Sequence, residues 1–384
     1  MIQRRIKRAQ AFLVGAAALA VVLTGCSAPG TATTTAGSDG GPIRFALVNA
    51  QSGQVSSLGA WSTKGVTLAL DEANANGGID GRQIEYTVYD DQGDPTVGTN
   101  LAHKVAGDGS IFMFGSSTSG VTLAMAPIME SSKIPFMSDG QSPKLGELGN
   151  PFLFLNSPSS VTFSKTLVNY VEPMGLKKVA MITNNGAYGA GEHDAFAAQI
   201  KGTSMTVVDD QIVTPEQKDY TSALTLIKQK NPDAIFLGME EVQAGLVVKQ
   251  ARQLGIQAQI IGGGTLGTPV YVASAGAAAA EGTICSVPYL GNDINDKSRA
   301  FGDAYKAKFG EDAEAHGAKA YDGAEIVIQA LRANPDLRGA DLAEAIRAIH
   351  YSGLNGDFNF DKNGVGVHKA QMGIIKDGKL TTAP

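Results

Sequence analysis

The chain has 384 residues, 31 Lys and Arg against 37 Asp and Glu, a formal charge of −6, and 43% apolar residues. That composition excludes a disordered chain and speaks against nucleic-acid binding, while the length suits two domains with a sizeable core. Two cysteines make no disulfide framework.

Arg4, Arg5, Lys7 and Arg8 precede an uncharged, mostly apolar run of 13 residues over 11–23. A spanning helix needs about 20, so the run suits the apolar region of a secretory signal. Leu23-Thr24-Gly25-Cys26 resembles a bacterial lipobox. The resemblance implies a lipoprotein signal peptide over 1–25 and lipidation of Cys26; the alternative is an ordinary secretory signal with a chance cysteine. Residues 27–41 are small, polar and unpatterned, so 26–41 is expected to be a lipid-anchored flexible tether. Cleavage would leave 27 basic against 37 acidic residues, a charge of −10. Cys285, within an apolar run, is expected to be a buried, inert thiol.

From residue 43 strand and helix patterns alternate. Apolar runs at 43–48, 84–89, 111–114 and 134–137 predict strands, separated by helical stripes over 61–75, 96–106 and 121–130. The pattern restarts with helices over 163–171, 191–200, 220–229 and 242–254 and strands over 178–183, 205–210, 234–238 and 259–261. Both units predict parallel α/β sheets covered on two faces. Helices follow over 301–309, 318–332 and 341–350, then a closing hairpin over 357–375 around Lys362-Asn363-Gly364. In such sheets ligands sit at the carboxyl ends of strands, which directs attention to the loops after Val48, Tyr89, Phe114, Met137, Thr183, Gly238 and Ile261.

Motifs of catalysis are mostly missing. Gly262, Gly264 and Gly267 fit G-x-G-x-x-G, but Pro269 comes soon after and the acidic residue expected about 20 positions on is absent. A ligand loop or a plain turn suits them better. There is no phosphate-binding P-loop, and 115–120 (GSSTSG) lacks the spacing of a nucleophile elbow. Asn359, Asp361, Asn363 and Gly364 mimic half a calcium loop, but Ala370 stands where glutamate is needed. No catalytic residue, metal or cofactor is expected, and the chain is read as a non-enzyme.

Several blocks read together: 65–66, LALDEANANGGIDGRQIEYTVYDDQGDP (68–95), FGSSTSG (114–120), APIMESSKIPFMS (126–138), KKVAMITNNGAYG (177–189), QARQLG (250–255) and KAYDG (319–323). In this order they resemble the branched-chain amino-acid-type substrate-binding lipoproteins of ABC transporters, the type I periplasmic binding proteins. The resemblance implies two doubly wound α/β lobes joined by a three-crossing hinge, 42–157 plus 289–353 and 158–288 plus 354–384. It also implies a monomeric, extracytoplasmic receptor, lipid-anchored to the cell membrane, that traps a small polar ligand by hinge closure and serves ABC permease subunits. A branched-chain or related amino acid is the default ligand. An amide, a urea, or an aromatic or aliphatic carboxylate is the alternative, as is a sensor module for a signalling partner.

For the site, the resemblance implies a serine and backbone amides on the ligand carboxylate. The serine is Ser119, with Ser117 as its neighbour, and the second loop is Gly140, Gln141 and Ser142. Asp139 in that loop either opposes a ligand anion or only makes a turn. Tyr188 is expected to line the cleft from the second lobe. Leu58 and Trp61 fall in the first loop, where Trp61 either covers the ligand or packs on its own helix. Amino-acid binders carry a glutamate in the loop matching 262–266, where this chain has Gly263-Gly264-Thr265; Glu240 or Glu241 is the expected replacement for holding an ammonium. Asp322 is either structural or ligand-facing.

Overall fold

A computed structural model of the chain describes residues 40–291 and 294–384. The expected signal peptide, Cys26 and the tether as far as residue 39 lie outside the described residues.

The first sheet holds β1 (Ile43–Asn49), β2 (Ile84–Asp90), β3 (Phe112–Gly115), β4 (Phe136–Ser138) and β5 (Leu153–Leu155), all parallel, in the order β2-β1-β3-β4-β5. Parallel neighbours need crossovers, supplied by the helices Ser56–Ala75, Pro95–Val105 and Ser119–Ser131. Local chemistry starts them: Pro95 opens the second, and Asp94 accepts from the amides of Thr96 and Val97. The second sheet restarts with β6 (Lys178–Asn184), β7 (Thr206–Val213), β8 (Ala234–Gly238), β9 (Gln259–Gly262) and β10 (Ile284–Val287), in the order β7-β6-β8-β9-β10. The two orders are equivalent, and each reverses direction once, between β1 and β3 and between β6 and β8. This is the α/β architecture of paired doubly wound sheets, whose strand ends at the reversal form natural crevices.

The C-terminal part departs from the single hairpin expected over 357–375. β11 (Tyr351–Gly353), β12 (Gly356–Phe360) and β13 (Gly366–Val367) make a small antiparallel sheet. The chain then crosses to β14 (Gln371–Lys376), antiparallel to β10, and turns into β15 (Lys379–Thr382). Phe358 and Phe360 join the core under the first sheet, with Phe45, Phe112 and Phe114, whereas the sequence assigned 354–384 to the second lobe. Strands β12 and β13 therefore sit with the first lobe. β5 and β10 were not among the strands predicted from the sequence.

Aromatic packing fixes both cores. Phe45 meets Phe114 edge-on at 5.7 Å between centroids, and Phe196 stacks on Phe236 at 4.0 Å. The helices Ser56–Ala75 and Ala315–Ala333 cross with their backbones in contact: a Cβ on Gly65 would lie 2.1 Å from the Gly317 carbonyl oxygen. That crossing carries the start of the second helix, with His316, up to the strand ends of the first sheet. Among the described residues no helix is long and apolar enough to cross a membrane.

Candidate functional site

The first lobe's side of the site is a pair of loops tied together by hydroxyls. Ser138, at the end of β4, donates to the Ser116 carbonyl at 2.8 Å and accepts from the Gly140 amide at 2.9 Å. Ser119, at the start of its helix, accepts from the amides of Gln141 and Ser142, both at 3.2 Å. Its lone pairs thus hold the second loop in place. Ser117 is different: its buried hydroxyl has no hydrogen-bond partner and lines the cleft. Gln141 donates through Nε2 to Ser157 at 3.2 Å.

Asp139 is neither a free carboxylate nor a plain turn residue. Ser62 donates to its Oδ2, and Lys319 lies 3.9 Å from Oδ1 while donating to the Asp139 carbonyl at 3.2 Å. Lys319 is 5% exposed. Burial pushes its ammonium down from the ordinary range, and Asp139 opposes that shift. His316 completes this side: Glu314 accepts from its Nδ1 position at 2.9 Å and from its amide at 2.6 Å, holding the imidazole at the helix start.

The second lobe contributes loops at the ends of β6, β8 and β9. Tyr188 lines the cleft with a hydroxyl that is buried and makes no hydrogen bond of normal geometry. Burial, reinforced by the nearby Glu192 carboxylate, pushes its phenol well up. Thr265 donates to the Met239 carbonyl at 2.8 Å, which shapes the loop after β9. Glu240 accepts from Asn184 Nδ2 at 2.5 Å, and burial raises its carboxyl. Glu241 is fully buried, and burial pushes it up to about 7.

At the strand ends of the two sheets these loops border a cleft of about 490 Å³ that is open to solvent. A family model described as "Periplasmic binding protein" matches residues 42–379. The chain belongs to the periplasmic binding protein family. The Leu/Ile/Val-binding protein BraC3 of Rhizobium johnstonii is 32% identical over 79% of this chain and 82% of its own length. The branched-chain amino acid transporter substrate binding protein LivJ of Streptococcus pneumoniae, solved with isoleucine, matches with a TM-score of 0.83 at 27% identity, over 89% of this chain and 99% of that one. A solute-binding protein of an R. palustris ABC transporter, solved with benzoate, shares the fold with a TM-score of 0.81 at 21% identity, over 89% and 95%. These relatives are substrate-binding proteins, not enzymes, and the fold is that of the type I class.

In this periplasmic binding protein the cleft gathers Leu58, Ser117, Ser119, Gly140, Gln141, Tyr188, Glu240 and Thr265 of the residues singled out from sequence. Four others stand outside its wall. Trp61 stacks on His316, a residue of the wall, with centroids 6.3 Å apart. Ser142 gives its amide to Ser119 and keeps a buried, unpartnered hydroxyl against the position of Gly191. Glu241 turns its Oε1 to Ser57. Asp322 accepts from the Leu354 amide with both oxygens, at 2.9 and 3.2 Å, a structural tie away from the cleft wall. Cys285 is buried, and burial pushes its thiol up to about 12, as expected of an inert cysteine.

Sequence reasoning missed Thr118, Pro288, Ala315 and His316 in the wall. The Glu314-Ala315-His316 helix start was the available clue, since an acidic N-cap fixes the position of the first helical turn. It also missed Glu192, a helix position with no local sign of burial.

Proposed function

We propose that this protein is the extracytoplasmic solute receptor of an ABC importer, capturing a branched-chain or related amino acid between two lobes that close about a hinge. The observation that carries it is a cleft lined from both sheets, with hydroxyls and loop amides on one side and Tyr188 and Glu240 on the other. An amino acid has matching ends: a carboxylate for the Ser117–Gln141 side and an ammonium for the acidic side. The relatives named for Leu/Ile/Val binding and for isoleucine support the ligand class.

In this reading the lobes are 42–157 with 289–353 and 158–288 with 354–384, amended by the packing of β12 and β13 on the first. Ligand contacts with both lobes bias an open–closed equilibrium, and permease subunits recognise the closed form. A lipid on Cys26 holds the monomeric receptor at the outer face of the cell membrane.

The test is a thermal-shift screen of the purified protein against amino acids, amides, urea and carboxylates. A ligand at 100 times its dissociation constant stabilises the folded form by about 2.7 kcal/mol. Stabilisation by amino acids is the expected result. Stabilisation only by amides, urea or carboxylates would move the ligand to those classes.

A further inference from the structure

Glu192 lies on the helix Ala187–Gln199, four positions after Tyr188, so the two side chains share one face. It is 1% exposed, and its Oε1 has no hydrogen-bond partner. No lysine, arginine or histidine pairs with it among the described residues, and no His, Cys, Asp and Glu group there is placed to hold a metal ion. A buried carboxylate in that condition is costly unless something charged completes it. Burial has pushed it up to about 7.

Two glycines, Gly238 at the end of β8 and Gly263 just past β9, make room for this one side chain. A Cβ on Gly238 would lie 2.8 Å from Glu192 Cβ. A Cβ on Gly263 would lie 2.6 Å from Glu192 Oε2 and 3.1 Å from the Tyr188 hydroxyl oxygen. Gly263 has φ −84°, a backbone angle open to other residues. Space, not backbone conformation, is what a side chain at 263 would violate. The space is taken by a carboxylate and a phenol, one of which already forms the cleft wall beside Gly264 and Thr265.

We propose, building on the amino-acid receptor function, that Glu192 receives the ligand's positively charged nitrogen through the gap left at Gly263, with the Tyr188 hydroxyl as a second acceptor beside it. The ligand is then a molecule with an ammonium group directed at the second lobe. A neutral amide or a urea would leave the carboxylate without a countercharge, and an anionic group there would be repelled. The buried cation of the first lobe, Lys319, is already committed to Asp139.

The test compares each of the common amino acids with its deaminated acid and its decarboxylated amine, by thermal shift and then calorimetry on the wild type, Glu192→Gln and Gly263→Ala. The expected result is that the wild type prefers the nitrogen-bearing compounds. Glu192→Gln should weaken them at least ten-fold while binding the deaminated acid as well as the wild type does, or better. Gly263→Ala, which crowds the carboxylate without removing it, should weaken the same compounds. Should Glu192→Gln not fold, the wild-type preference and its reduction in Gly263→Ala decide the matter. Unchanged amino-acid affinity in Glu192→Gln, or equal loss of every compound, would overturn the role of Glu192 and leave the receptor function standing. So would a wild type that binds only acids or neutral compounds. A wild type that binds none of the panel would overturn both.

Discussion

Ser57 and Glu241 join the two sides of the cleft: the Ser57 hydroxyl, on the helix behind the first sheet, donates to Glu241 Oε1 at 2.5 Å. The other oxygen, Oε2, is buried without a partner. Both residues stand at helix starts, and in the proposed hinge closure this contact is a latch on the closed form. Ser57→Ala is expected to weaken ligand affinity about 5-fold, the equivalent of one hydrogen bond worth about 1 kcal/mol. Titration calorimetry with the amino acid found in the screen measures this. Affinity equal to wild type would remove the latch role.

Ser119 holds Gln141 and Ser142 by their amides. Ser119→Ala leaves two buried N–H groups without an acceptor, and each unsatisfied donor costs about 1–3 kcal/mol. Urea unfolding should show a lower midpoint at unchanged slope, together with weaker ligand binding. Weaker binding at full stability would instead mean that the hydroxyl acts on the ligand alone.

Asp139 is the only carboxylate within ion-pair distance of buried Lys319 among the described residues. Asp139→Asn removes the countercharge and is expected to lower stability by about 3–5 kcal/mol, because a buried ammonium is left unpaired. Replacing both residues with neutral ones of similar volume should recover much of that loss. Equal losses for the single and double replacements, measured by unfolding, would argue against the pair.

Protonation should be visible in the unliganded protein. Burial raises Glu192, Glu241 and Asp322 from ordinary carboxyl values to about 7. The folded form therefore binds more protons than the unfolded one between roughly pH 4.5 and 7. The stability these groups contribute is full below the unfolded value and is lost as pH rises through 7. His368 works the other way: burial lowers it from 6.5 to about 4, so its contribution is lost as pH falls through that interval. Between pH 4.5 and 7 the three carboxyls outweigh the one histidine, and unfolding free energy should fall as pH rises. Glu192→Gln should flatten the slope, as followed by urea unfolding at several pH values. A slope of wild-type size in that variant would contradict the raised value.

Gly65 packs its backbone on Gly317. Gly65→Ala places a methyl group where there is no room and is expected to destabilise by about 1–3 kcal/mol, through separation of two helices. A lowered melting temperature checks this. Separating the helices also parts Trp61, on the first, from His316, which lines the cleft from the second, so affinity should fall with it.

By itself the sequence determined the alternation of strand and helix, the two-unit organisation, and the loops where a ligand must sit. Those come from local periodicity and from turn chemistry, which a chain carries wherever it folds. FGSSTSG, NNGAYG and the loop at 139–142 could be placed in this way, and the cleft does gather Ser117, Gln141 and Tyr188. The tertiary structure decided which side chains meet. Trp61 stacks on His316, which is far away in sequence, so no local pattern pairs the two. Asp139 could be a turn or a charge until Ser62 and Lys319 were seen against it. Glu192 looks like one polar position on a helix, and only the packing of Gly238 and Gly263 around it reveals a buried carboxylate. Periodicity tells a residue which face it occupies; close packing between elements distant in sequence decides what that face touches, and the chemistry of the cleft depends on the second.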